Sequence, residues 1–174
     1  MRPSIAAGFV ASHNTIIGNT VLYGATAGTL LAAGQAGERL CVRNSGAIAI
    51  VEGCGSNGCE YMTGGEVVIL GEVGSNYGAG MTGGMGFIYD EAASFMNNVN
   101  KESLHISRIH TDYWAEHLKA LVERHADETE SDLAKSLLNN WEKSLGHFWH
   151  VVPKEILAKL SHALDDTDEM RHVG

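Results

Sequence analysis

Three cysteines and nine histidines are the residues of this 174-residue chain best suited to chemistry, and their spacing decides whether they do any. Two thiols lie close together in Cys54-Gly55-Ser56-Asn57-Gly58-Cys59, with Cys41 further back. A structural zinc or an iron–sulfur cluster needs a full set of thiolate or imidazole ligands, and these three supply no such set. The pairs His105/His110 and His147/His150 lack the i, i+4 spacing with an intervening Glu that a zinc-protease helix uses. His117 and His125 share one helical stretch without a carboxylate in a ligand pattern. The expected place of the thiols is the core, and that of most histidines the surface or a helix edge. Gly78-Ala79-Gly80-Met81-Thr82-Gly83 satisfies a loose G-x-G-x-x-G, but a dinucleotide site needs that motif between a strand and a helix. Neither G-x-x-x-x-G-K-[ST] nor G-x-S-x-G occurs. No catalytic, cofactor-binding or metal-ligating residue is therefore expected.

The elements that would have to position such groups are written as a repeat. Leu40-Cys41-Val42-Arg43-Asn44-Ser45-Gly46-Ala47-Ile48-Ala49-Ile50-Val51-Glu52-Gly53 returns 19 residues on as Cys59 to Glu72, and again as Gly78 to Asp90. Gly55-Ser56-Asn57-Gly58 returns as Gly74-Ser75-Asn76-Tyr77, and one period earlier Gly28 to Ala32 lies on Ala47 to Val51. A fixed period of this size means stacked supersecondary units. Each unit has a short apolar run and glycine punctuation, with no room for a helix, which is a β-solenoid coil. Earlier still, the short β-branched run from Thr15 to Thr26 reads as strands and tight turns. Ile50, Ile69 and Ile88 are expected to stack, as are Ile48, Val67 and Met85 or Gly86. Arg43 and Glu66 fall in one belt of polar positions, on the solvent face or at an interface. Glycines are expected at the coil corners, where φ is positive.

Of 21 glycines, 19 precede residue 90, while charged and aromatic residues gather after it. The fold class is therefore mainly β, with parallel β-helix coils over residues 1–90 and a connector with C-terminal helices over 91–174. In the connector, Phe95-Met96 and Leu104-His105-Ile106 are candidate packing anchors. Trp114, Leu118, Leu121, Val122 and His125 form an amphipathic stripe from Asp112 onward. Thr129 or Ser131 is the N-cap of a second helix carrying Leu133, Leu137, Leu138, Trp141 and Leu145 up to Gly146. Phe148 to Lys154 reads as extended, because Pro153 biases its predecessor away from helix. Ile156, Leu157, Leu160 and Leu164 allow a short final helix, and Asp165 to Gly174 a frayed tail.

Composition narrows the partners. A net charge of −9 argues against nucleic acid or an anionic membrane. No apolar run approaches the roughly 18 residues of a transmembrane helix. The Ile5 to Ala11 run has only one Arg before it and two small-residue breaks, so it does not read as a signal peptide. Three cysteines make no disulfide framework, and the expected compartment is the cytoplasm. Trimeric acyltransferases are also β-helical and would make His13 a candidate base, but this period drifts at once from their hexapeptide spacing.

Ile16-Ile17-Gly18-Asn19-Thr20-Val21-Leu22-Tyr23-Gly24-Ala25-Thr26 resembles the C-terminal glycine-rich (GXGXG) domain of the glutamate synthase large (alpha) subunit. So do Ala36-Gly37-Glu38-Arg39, Val42 to Ala47, Val51-Glu52-Gly53 and Asn57 to Gly65. Gly78-Ala79-Gly80-Met81-Thr82-Gly83-Gly84 carries the glycine pattern, and Phe148-Trp149 with Val151-Val152-Pro153-Lys154 resembles the closing segment. The resemblance implies a right-handed parallel β-helix followed by helices. It implies a scaffold role in an enzyme that forms glutamate from glutamine and 2-oxoglutarate in ammonia assimilation. The family's FMN and iron–sulfur cluster belong to other domains, as does its N-terminal nucleophilic cysteine, so no site residue carries over. Expected partners are the glutaminase and FMN-binding synthase domains, or a second copy joined through an open coil end. A free-standing β-helix subunit of another redox complex, similar to formylmethanofuran dehydrogenase, is the alternative.

Overall fold

The apolar runs become strands stacked coil upon coil in the computed structural model, which describes residues 1–4 and 6–165. In chain order the strands are β1 (Thr15–Ile17), β2 (Thr29–Ala32), β3 (Gln35–Ala36), β4 (Ser45–Val51), β5 (Thr63–Ile69) and β6 (Gly83–Tyr89). Strands β2, β4, β5 and β6 pair in parallel as one wall of a solenoid of about four turns. A second wall runs through the parallel pair β1–β3, with Ile17 on Ala36, and on through single parallel bridges from Ala36 to Cys54 to Val73.

Residues alternate across the sheet wall, and both of its faces are buried. Ala32, Val51, Ile69 and Ile88 point into the solenoid, while Leu31, Ile50, Val68 and Phe87 point outward under the helices. Burial on both faces explains why the strands read as continuous apolar runs rather than as alternating ones. The register departs from the expected stacking of Ile50 on Ile69. A bulge between Ser45 and Ile48 shifts β4 against β5, so Val51 pairs with Ile69 and Ile50 with Val68. From β5 to β6 the pairing is Ile69 to Ile88 and Glu66 to Met85. A one-residue slip exchanges the two faces of a strand, so the bulge decides which isoleucine fills the solenoid.

The third wall contains no strand. At every second residue the backbone turns left-handed, at Thr20, Leu22 and Gly24, then Arg39, Cys41 and Arg43, then Asn57, Cys59 and Tyr61, then Asn76, Gly78 and Gly80. The corners are therefore not reserved for glycine, as the sequence led us to expect. Inter-coil hydrogen bonds offset the strain: Arg39 N–H donates to the Ser56 carbonyl (2.9 Å), Cys59 N–H to Leu40 (2.7 Å) and Arg43 N–H to Glu60 (2.9 Å). Arg43 is exposed on this wall and Glu66 lies on the sheet wall, so the two do not share a belt.

Beyond the coils come α1 (Phe95–Asn98), β7 (Leu104–Ser107), α2 (Asp112–Thr129), α3 (Asp132–Asn139), α4 (Trp141–Leu145) and β8 (Phe148–Pro153). Helix α2 lays Trp114, Leu118, Leu121 and Val122 on the outer face of the sheet. Thr111 caps it, and Ser131 caps α3 by accepting the Ala134 N–H at 3.0 Å. Thr129 ends α2, bonding back to the His125 carbonyl at 2.6 Å. The second stripe is two helices, because Asn140 leaves helical geometry at φ −125° and ψ 42°. Strand β8 returns antiparallel between β6 and β7 and closes the sheet. The expected final helix is a 3-10 turn over Lys154–Lys159, directly after Pro153. The frayed tail expected from Asp165 lies, apart from Asp165 itself, outside the described residues.

Candidate functional site

The three cysteines are free, buried thiols. Cys41 and Cys59 occupy equivalent left-handed positions of neighbouring coils, facing the interior. A hydrogen bond with Cys59, reinforced by burial, pushes the Cys41 thiol well above the ordinary range, and burial does the same to Cys54. Thiols held protonated are poor nucleophiles and poor ligands. They pack with Met62, Tyr77 and Met81 in the solenoid core. Among the described residues no group of three His, Cys, Asp or Glu side chains is placed to hold a metal.

The histidines divide. His13 and His110 are exposed, as expected. His150 on β8 is buried and stacked on Phe87 with ring centroids 4.4 Å apart. Burial, with His105 and His117 adding to it, lowers its pKa to about 3, so the ring is neutral. His117 on α2 places Nε2 3.0 Å from both oxygens of Glu66 on β5 and ties the helix to the sheet. His125, fully buried, directs Nε2 at Glu52 Oε1, 3.6 Å away. A surface placement thus fails for His125 and His150, because helix α2 and strand β8 close over the sheet face.

Glu52 was not singled out by sequence reasoning: it directly follows Val51, whose pairing with Ile69 arises only from the bulge in β4. Its carboxylate accepts the Ser131 hydroxyl at the α2–α3 junction. Asp90, also buried, accepts N–H bonds from Ser94 (2.9 Å), Phe95 (3.2 Å) and the Trp149 indole (3.0 Å). Arg108 covers that indole, its guanidinium carbon 3.5 Å from the ring centre. Glu52 and Asp90 line a cleft of about 460 Å³ with His13, Glu72, Glu91 and Leu133. The cleft is acidic, and its two buried carboxylates hold helix ends in place. The Gly78 to Gly83 loop leads into β6 instead of a helix, and Gly80 lies under the Tyr61 ring.

The model of the GXGXG motif matches residues 1–154. The chain belongs to the GXGXG-motif family. Its relatives in that family are long proteins. It is 58% identical over 160 residues to the NADPH glutamate synthase large chain of Azospirillum brasilense, which covers 92% of this chain and 11% of that one. It is 50% identical over 146 residues to ferredoxin-dependent glutamate synthase 1, chloroplastic/mitochondrial, of Arabidopsis thaliana, covering 84% of this chain and 9% of the relative. A third, ferredoxin-dependent glutamate synthase 2 of Synechocystis, is 48% identical over 151 residues, with 87% and 10% covered. The chain thus spans about a tenth of the length of these relatives. Among the described residues no helix is long and apolar enough to cross a membrane.

Proposed function

We propose that this chain is the solenoid domain of a glutamate synthase and acts there as a scaffold, contributing rigidity rather than a reacting group. The observation that carries the reading is the family match over residues 1–154, joined to similarity with glutamate synthase large chains. The interior supports it. Stacked aliphatic ladders, protonated thiols and carboxylates already hydrogen-bonded to helix ends make a stiff body whose outer walls fix whatever docks on them. Its partners are then the glutaminase and FMN-binding synthase domains, in the cytoplasm. The residues present do not fit the family's iron–sulfur cluster, since the three thiols are buried in the core and Cys41 and Cys54 are held protonated. FMN and cluster belong to the other domains.

A chimaera tests the reading. In the Azospirillum brasilense large chain, this sequence replaces its own matching segment, and glutamate formation from glutamine and 2-oxoglutarate is measured. Activity within a few-fold of the parent is expected, and a flexible linker of equal length should abolish it. A chimaera that folds and binds its cofactors but forms no glutamate would overturn the reading.

A further inference from the structure

The turn wall of the solenoid is left bare by its own helices. Helices α2, α3 and α4 pack on the sheet wall, whereas the left-handed turn wall carries Tyr23 and Tyr61, each 56% exposed, with Arg39 and Arg43 exposed beside them. We propose that this turn wall docks an acidic segment from another domain of a glutamate synthase large chain. The proposal rests on the function proposed above.

Backbone strain marks the wall. Gly24, Arg43, Tyr61 and Gly80 occupy one column, at φ 62°, 56°, 53° and 65°. Glycine adopts such angles freely, while a residue with a Cβ is strained there. The outer coils of this column use glycine, and the two inner coils place an Arg and a Tyr. Leu22, Cys41 and Cys59 take the same angles while facing the interior, so what sets Arg43 and Tyr61 apart is that their side chains are exposed. Gly80 serves the same end. A Cβ there would stand 2.5 Å from the Tyr61 ring, so its absence lets the ring lie across the neighbouring coil.

Charge selects the occupant. Among the described residues neither Arg39 nor Arg43 enters an ion pair, although the chain carries 21 acidic residues. Of the nearest acids, Glu38 leans over Gly55 toward the adjoining wall, and Glu60 accepts from Asn76 at 3.2 Å. Two guanidinium groups are left to grip carboxylates, flanked by tyrosines, a composition typical of the residues that dominate protein interfaces. A net charge of −9 disfavours a second copy as the occupant. The relatives supply the other source, since about nine-tenths of each lies outside the matched region.

The test uses the double variant Arg39→Asn with Arg43→Gly, residue types already present in those columns at Asn57 and Gly24. In the 174-residue chain the variant should melt no lower than the parent. A fall of more than about 5 °C overturns the strain argument. In the Azospirillum chimaera, cleaved at the junction by an inserted protease site, the unmutated segment should stay bound through gel filtration at physiological salt. The variant's segment should dissociate at least tenfold more readily. Equal retention overturns the docking wall while leaving glutamate formation, and with it the function reading, intact. Loss of glutamate formation by the uncut, unmutated chimaera overturns both. A dimer of the 174-residue chain that the variant abolishes would make the occupant a second copy and overturn the acidic segment.

Discussion

The Trp149 indole donates to Asp90 at 3.0 Å across 59 residues of chain, joining the closing strand to the end of the last coil. Asp90 also accepts the first N–H groups of α1, so one buried carboxylate anchors strand β8, helix α1 and strand β6 together. Replacing Trp149 by Phe keeps the ring stacked under Arg108 but removes a donor from a buried charge. The expected loss is about 1–3 kcal/mol, read as a lower urea midpoint at unchanged slope.

Ser131 has two duties, as cap of α3 and as donor to Glu52. Ser131→Ala should destabilise by about 2–4 kcal/mol, combining a lost cap with a buried carboxylate left short of a donor. In a double-mutant cycle with Glu52→Gln, the combined loss should fall short of the sum of the two. Additive losses would show that the hydroxyl and the carboxylate are not energetically coupled.

Acid should destabilise the fold through His150. Its native pKa lies near 3, below the ordinary histidine value of 6.5, because the buried ring resists charge. Between those values the unfolded chain binds a proton that the native chain refuses, so stability falls as pH is lowered through this window. The slope from this group is about 1.4 kcal/mol per pH unit, and it vanishes below pH 3 and above pH 6.5. His150→Gln should flatten the stability–pH curve over this range relative to the parent, whatever its effect at neutral pH.

The thiols should be silent in the native state. Cys41, Cys54 and Cys59 are buried, and Cys41 and Cys54 are held protonated. Iodoacetamide at neutral pH is expected to leave all three unmodified by intact-mass measurement, and to add three labels once guanidinium unfolds the chain. Rapid native labelling would show that the coil interior opens.

Local signals carried much of this molecule. The recurrence of apolar runs and glycines from Gly28 to Asp90 determined a stacked solenoid, because each coil must bury its apolar run against the next. The spacing of Trp114, Leu118, Leu121 and Val122 determined α2, and the three cysteines were legible as core. What the period left open was settled by bulges and long-range packing. A one-residue shift between Ser45 and Ile48 put Val51 rather than Ile50 inside, and a repeat read by eye is blind to such a shift. Arg43 and Tyr61 sit left-handed against local preference, each with its N–H bonded to the neighbouring coil. The Glu52–Ser131 and Asp90–Trp149 bonds join residues 79 and 59 apart. No pattern along the chain specifies them, because they exist only once the helical layer and β8 have closed over the sheet.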